Sequence, residues 1–187
     1  MIKINPTLNQ FCLRLAPAVA VFLALCLWLP PAWGQLQPAS RTPALRVQHL
    51  AEVELLIFQF TNEERRKHGL PALARDDSLS EIARMHTDDM LRRHYFSHIS
   101  PDGASPKERL APVYLNVISR AGENIWGGRG LDFSDSRRLA RVAVDGWMIS
   151  PGHRANILNP DYTHLGVGVG VLGREIRATQ NFVKRLR

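Results

Sequence analysis

The chain has 187 residues, with 24 basic and 17 acidic side chains and a formal charge of +7. Its two cysteines, Cys12 and Cys26, both lie in the first 34 residues, so a chain without that segment has no disulfide and no thiol nucleophile. The remaining length of about 150 residues is enough to bury a core unaided and suggests a single domain.

The N-terminal segment has the layout of a secretory signal. The basic residues Lys3 and Arg14 are followed by an apolar run, a Pro-Pro pair and small residues up to Gly34. We predict a signal peptide over residues 1–34, and therefore a secreted or periplasmic protein. The alternative is an uncleaved membrane anchor, although the strongly apolar part, residues 15–29, is shorter than the about 20 residues of a bilayer-spanning helix.

Residues 35–45 are rich in Pro, Ser and Gln and are predicted to link this segment to a domain over residues 46–187. The domain opens with a predicted helix over residues 46–68, which Gly69 would end, and a second over residues 77–93. Each helix keeps one apolar face. The faces consist of Leu50, Val53, Ile57 and Phe60 in the first helix and Leu79, Ile82, Ala83, His86 and Met90 in the second.

The later elements complete the predicted fold. Ser105 opens the sequence SPKE, which is typical of a capped helix start. A further helix over residues 134–148 and a short helical turn after His153 are followed by two alternating segments. These segments, residues 165–171 and 175–183, predict a hairpin whose glycine face lets another element approach closely. We expect an α+β domain in which helices pack on an antiparallel sheet.

Three polar side chains occupy positions that we interpret as anchored bends. His98 follows two aromatic residues and precedes a turn, His153 follows a Pro-Gly pair, and Glu123 follows a glycine. Rigid presentation of polar groups from separate segments is typical of a preorganised site. His86, in contrast, lies on an apolar helical face and is more typical of a hydrogen-bonded core histidine.

Two imidazoles and a carboxylate form a suitable ligand set for zinc or another divalent cation. His98, Glu123 and His153 are 25 and 30 residues apart, however, and form no local ligand motif. The alternative is that each histidine only forms hydrogen bonds with its neighbours.

Several blocks of the sequence resemble the CAP superfamily of cysteine-rich secretory, antigen 5 and pathogenesis-related proteins, and in particular its bacterial SCP-domain branch. These blocks are FSHISPDGASPKERL, AGENIWGG, AVDGWMISPGHRANILNPDYTHLGVGVG and ATQNFV. The resemblance covers residues 51–184. It implies an α-β-α sandwich with a central antiparallel sheet and a large cleft. It also implies that His98, Glu123 and His153 match three members of a cleft tetrad of two histidines and two acids.

The chain departs from the pattern of the eukaryotic members at one position. In those members a second acid follows a helical tryptophan by three residues, and here that position is Ser150 in the sequence WMIS. The nearest acid, Asp145, precedes Trp147 by two residues, which is about 200° of helical rotation, so it should face elsewhere. The resemblance therefore implies a cleft with a triad, next to which Ser150 lies.

Three functions remain open at this stage. The first is a non-enzymatic binding module whose cleft holds a divalent cation or an extended ligand. The second is a metal-dependent hydrolase of peptide or cell-wall material, with Glu123 as base. The third is a lipid or cell-wall binding protein that needs no metal. Without the first 34 residues the charge is about +5, which suits anionic lipids or wall polymers or is simply a solvated basic surface. We expect a lipid, wall-polymer or peptide partner, no nucleic acid, and a monomer.

Overall fold

The computed structural model describes residues 41–186. It contains five helices, α1 (Arg41–Lys67), α2 (Asp77–Arg92), α3 (Pro106–Tyr114), α4 (Ser136–Ile149) and α5 (Pro151–Ile157), and four strands, β1 (Ala74–Arg75), β2 (Ile118–Arg129), β3 (His164–Leu172) and β4 (Glu175–Arg185). No helix in this part of the chain is long and apolar enough to cross a membrane. The predicted signal peptide and the first six residues of the predicted linker lie outside the described residues.

The four strands form one sheet in the order β1-β3-β4-β2. β3 and β4 form the predicted hairpin, which turns at Gly173 with a φ of 58°. β2 pairs antiparallel with β4, whereas the two-residue β1 pairs parallel with β3. The sheet is therefore mixed, which corrects the predicted antiparallel sheet at one edge. Two residues are too few to give a periodic signal in the sequence.

Helices cover both faces of the sheet, as predicted. Residues of α1 and α4 pack against Ala178 and Phe182 of β4 in one apolar cluster. α2 and α3 pack on the opposite face around Val183 of β4, in a second cluster that contains Leu79, Ile82, Leu110 and Tyr114. The α-β-α sandwich thus has two separate apolar layers. Because side chains alternate between the two faces along β4, this strand contributes residues to both layers.

The glycine face of β3 lies against α2. A Cβ atom added at Gly166 or Gly168 would overlap the α2 backbone, at residues 79–80 and 83–84 respectively. The intervening Val167 belongs to the cluster on the other face. The predicted close approach to a glycine-bearing strand is confirmed, and its partner is α2.

The helical predictions are confirmed with small shifts of their bounds. The predicted apolar face of α2 is buried, and α3 starts with a complete capping box over residues 105–108. α1 already includes Arg41, the first described residue and five residues before the predicted start, and Gly69 follows its end with a φ of 71°. α5 begins at Pro151, so His153 lies inside the short helix rather than before it.

The sequence analysis does not predict β2. Its sequence, ISRAGENIWGGR, contains three glycines and several charged residues without a regular alternation, and pairing with β4 keeps it extended. Glu123 therefore lies in the middle of a strand, which corrects its placement at a bend. Because β2 is the outer strand of the sheet, Glu123 lies close to the sheet edge.

Candidate functional site

The Glu123 carboxylate is the centre of the candidate site. Its side chain is 2% exposed, and both oxygens have partners: Oε1 is 2.8 Å from Nδ1 of His98, and Oε2 accepts a hydrogen bond from Nη2 of Arg109 at 2.7 Å. Nε2 of His86 lies 3.8 Å from Oε1. Such partners are needed because a buried carboxylate without them is strongly unfavourable. An ionised carboxylate only accepts hydrogen bonds, so Nδ1 of His98 is the donor in this contact, and in the corresponding neutral tautomer Nε2 has a free lone pair.

Two contacts hold the loop that carries His98 against α2, and a third joins the two ends of the loop. Nε2 of His86 donates to the Ser97 carbonyl at 3.1 Å, and the Tyr95 hydroxyl donates to the Asp89 carboxylate at 2.7 Å. An ion pair between Arg93 and Asp102 closes the loop on its outer side. These contacts fix the backbone on both sides of His98, while 44% of its side chain remains exposed.

α5 brings His153 to the same place from the other side of β2. The Asn124 amide on β2 donates to the His153 carbonyl at 3.1 Å, and the Asn156 amide donates to the oxygen of the Asn124 side chain at 2.9 Å. The centroids of the His98 and His153 rings are 6.3 Å apart. The structure thus brings the three predicted site residues, His98, Glu123 and His153, together.

Side chains of α4 and α5 cover the outer edge of β2. The Asn156 amide also donates to the backbone carbonyl of Glu123 at 3.1 Å, and the Trp147 indole N–H donates to the backbone carbonyl of Ile125 at 3.0 Å. Two outward-facing acceptors of the edge strand are thereby satisfied by side chains.

Ser150 lies outside this cluster of contacts. It is the half-buried residue between α4 and α5, and its side chain forms no capping hydrogen bond. Asp145 is exposed on α4, as its helical rotation relative to Trp147 predicts. Among the described residues, neither side chain forms a hydrogen bond with Glu123 or with the two histidines.

Sequence reasoning missed two partners of Glu123. Arg109 follows the capping box of α3 and looks like one of many surface cations in the sequence, although a buried carboxylate does require a cation somewhere. His86 was predicted to be a core histidine, and its 1% exposure confirms this. Its position on the buried face of α2 was the available signal, but nothing local indicated that this face turns toward Glu123.

Burial lowers the pKa of two of the imidazoles and so favours their neutral form. Burial lowers the pKa of His86, against the opposing attraction of Glu123. Burial also lowers the pKa of His153, and the nearby His98 adds to this effect. A neutral imidazole is the form that can bind a metal ion.

Only part of the predicted ligand set is arranged so that it could bind a divalent cation. His98 and His153 are close together, and His98 gives its Nδ1–H to a carboxylate, which is the usual way in which proteins orient a metal-binding histidine. Glu123 lies behind His98 in this arrangement, with both oxygens occupied. Within residues 41–186, no three His, Cys, Asp or Glu side chains are grouped so as to hold a metal ion. A ligand set that includes Glu123 therefore stays a prediction.

A family comparison supports the resemblance drawn from the sequence. The model of the cysteine-rich secretory protein family, CAP, matches residues 58–182, which is most of the described chain. The chain belongs to the CAP family. The predicted CAP resemblance is thereby confirmed.

The relatives of this CAP protein include bacterial proteins that are much longer. It is 41% identical over 140 residues to the uncharacterized membrane protein YlbC of Bacillus subtilis and 40% identical over 115 residues to YkwD of the same organism. The matches cover 75% and 62% of this chain but only 36% and 41% of those relatives.

The similar solved structures also include a protein of the bacterial SCP-domain branch. An extracellular SCP-domain protein from Bacillus anthracis matches with a TM-score of 0.61 and 37% identity, over 76% of this chain and 43% of that one. The chain thus spans less than half of the length of these relatives. A structure of NaASP2 with Zn2+ is also similar, but at 14% identity and a TM-score of 0.44 it is too remote to assign a metal to this chain.

The buried position of His86 predicts a larger effect on stability than that of His98. We expect His86→Ala to lower the free energy of unfolding by about 1–3 kcal/mol, because it leaves a cavity and an unpaired Ser97 carbonyl. His98→Ala should cost less, since His98 is half exposed and Glu123 keeps Arg109. Thermal and urea unfolding of both variants without metal measures the difference.

Acid titration provides an independent check on His86. Because its pKa is lower in the folded than in the unfolded chain, the unfolded state takes up a proton first, and stability should fall as the pH drops below about 6.5. His86→Gln should weaken this dependence.

Equal melting temperatures for His86→Ala and His98→Ala would contradict the structural role given to His86.

Proposed function

We propose that this CAP protein is exported and acts outside the cytoplasm as a non-enzymatic binding module, with a divalent cation such as zinc held between His98 and His153. The proposed location rests on the signal-like segment over residues 1–34 and on relatives that are termed an extracellular protein and a membrane protein. The observation that carries the proposed cation site is the 2.8 Å contact between Nδ1 of His98 and the buried Glu123 carboxylate.

The contact leaves the other ring nitrogen of His98 available. Nε2 is the ring nitrogen that does not contact Glu123, and the centroids of the His98 and His153 rings are 6.3 Å apart. Two protein ligands would hold an ion weakly and leave coordination positions for water or for an anionic group of a bound ligand. When bound, the ion would supply a positive centre that such a group can coordinate. Glu123 and Arg109 would orient His98 without touching the ion.

The same contacts argue against Glu123 as the base of a hydrolase. A general base needs a free oxygen within hydrogen-bond reach of the attacking water. Each Glu123 oxygen already accepts a hydrogen bond, one from His98 and one from Arg109, and the side chain is only 2% exposed, so an attacking water has little access to it. The binding role is therefore the better supported of the two, and its ligand would be a lipid, a wall polymer or a peptide.

Calorimetric titration with zinc chloride near pH 7.5 tests the cation site. We expect one weak, saturable site in the parent protein and a loss of affinity of at least about ten-fold in both His98→Ala and His153→Ala, because a single histidine rarely holds zinc. Glu123→Gln should weaken binding by about 10–100-fold, since it loosens the orientation of His98.

His164→Ala is the matched control. This half-buried histidine lies at the start of β3, near the opposite edge of the sheet, and should leave zinc affinity unchanged. If His98→Ala and His153→Ala bind zinc as the parent does, the proposed cation site is wrong. If they lose zinc but wall fragments, lipids or peptides still bind in the presence of chelator, recognition is independent of the metal.

A further inference from the structure

An exposed apolar patch lies where α3 ends and β2 begins. Val113, Leu115 and Val117 are 48–69% exposed. Leu186 is 56% exposed, and its backbone N–H donates to the Val117 carbonyl at 3.0 Å, which places it beside them. We refer to these four residues as the apex patch. None of them belongs to either apolar cluster of the described residues. Large apolar side chains that gather on the surface in this way mark an interaction site.

A small apolar cavity opens beside the apex patch. Its volume is about 110 Å³, and its walls include Leu110, Tyr114, Leu115 and Ile118. Lys107 also contributes to its walls. The cavity therefore combines a mostly hydrocarbon lining with one cationic side chain, which is suited to a ligand with an apolar chain and an anionic end.

Cations outnumber acids around the apex patch. Lys107, Arg120, Lys184 and Arg185 lie nearby, and the acids among them are Asp76, Glu108 and Asp161. Arg185 pairs with Asp76, and both Lys184 and Arg120 lie within 3.4 Å of Asp161, so the local charge remains positive. Glu108 lies beside Lys107 in the first turn of α3, where its carboxylate accepts a hydrogen bond from the Ser105 N–H, so the four cations exceed the three acids by one charge.

A second, larger cavity continues the basic surface on the other side of Leu186. Its volume is about 720 Å³, and its walls include Ser119, Thr163, Lys184 and Arg185 together with the acid Asp161, which pairs with Lys184. Hydroxyl and cationic side chains of this kind are suitable donors to the phosphate oxygens of a lipid headgroup.

We propose that the apex patch docks on a membrane surface that contains anionic phospholipids. Leu115 and Val117 would enter the interfacial region, and the four cations would face the headgroups. Exposed aliphatic side chains surrounded by Lys and Arg are the combination by which peripheral proteins bind such membranes. This docking surface uses none of the residues of the His98–Glu123–His153 site, so it is independent of the proposed function and of any metal.

Co-sedimentation with vesicles tests this proposal. The protein used begins at Gln35, so that the apolar segment of residues 15–29 cannot bind by itself; both apolar clusters lie within residues 53–183, so this form keeps the whole described core. We expect binding to vesicles of phosphatidylglycerol and phosphatidylcholine but not to phosphatidylcholine alone. Leu115→Ser/Val117→Ser should reduce the binding at least ten-fold.

Matched variants distinguish binding through the apex patch from non-specific hydrophobic binding and from general electrostatic attraction. Val142→Ser/Ile149→Ser removes two exposed apolar side chains of α4 and should bind like the parent. Lys107→Gln/Arg120→Gln should weaken binding at low salt more than Lys67→Gln/Arg129→Gln, which removes the same charge elsewhere. Thermal melts confirm that each variant is folded.

Three outcomes would overturn the proposal. They are no binding to the anionic vesicles, equal losses in the patch and control variants, and a self-association of the parent that Leu115→Ser/Val117→Ser abolishes. The last outcome would identify a second copy of the chain as the occupant of the patch.

Discussion

Replacement of Arg109 by methionine should lower the free energy of unfolding by about 3–5 kcal/mol, the usual cost of leaving one member of a buried ion pair alone. The Arg109 side chain is 14% exposed and the Glu123 side chain 2%, so little water can replace the lost guanidinium. Methionine keeps most of the apolar volume, which makes the lost charge and hydrogen bonds the main change. Urea unfolding monitored by circular dichroism gives the difference.

A double-mutant cycle shows whether the loss of stability comes from leaving the Glu123 carboxylate buried without its cation. Arg109→Met/Glu123→Gln removes both charges and should regain a large part of the stability that Arg109→Met loses. Arg93→Met is the matched control, because its partner Asp102 is 71% exposed and solvent-exposed ion pairs contribute little to stability. Equal losses for Arg93→Met and Arg109→Met would contradict the buried pair.

Gly168→Ala should be among the most damaging small substitutions in the protein. The added methyl group would overlap the backbone of Ala83 and Arg84 in α2, and a backbone cannot rotate away as a side chain can. We expect a loss of about 3 kcal/mol or more, at the upper end of over-packing. For a chain of this size, that corresponds to a drop of about 6–12 °C in the melting temperature.

Gly152→Ala tests whether the effect comes from the contact and not from the loss of a glycine. Gly152 lies in α5 with no atom within 4 Å of an added Cβ, and alanine favours a helix, so this variant should be neutral or slightly more stable. A Gly168→Ala protein that melts with the parent would mean that α2 does not lie directly on β3.

The parts of the fold with local signals were predictable from the sequence. The capping box at Ser105, the Gly69 helix end and the alternation of β3 each depend on residues within a few positions of one another. The paired glycines of β3 even indicated a close contact. β2 had no such signal, because its extended backbone is imposed by β4, more than 45 residues later in the chain.

The candidate site was likewise predictable only where its residues have local signals in the sequence. His98, Glu123 and His153 were found from their local context and from the CAP resemblance, and the structure brings them together. The partners that neutralise and orient Glu123 come from α2 and α3, and their arrangement depends on how these helices pack on the sheet. A pattern along the chain could indicate that His86 is buried, but not which carboxylate it would face.

The side chains of Asn156 and Trp147 on the edge of β2 also restrict how the protein can recognise a polymer. An open edge strand can recruit an extended peptide as an additional strand, through backbone hydrogen bonds that ignore sequence, and the same openness promotes aggregation. Here the carbonyls of Glu123 and Ile125 are already bonded at the point where the site lies. A ligand that approaches His98 and His153 therefore meets side chains and not a free strand, so its chemical groups, more than its ability to form a β-strand, decide whether it binds.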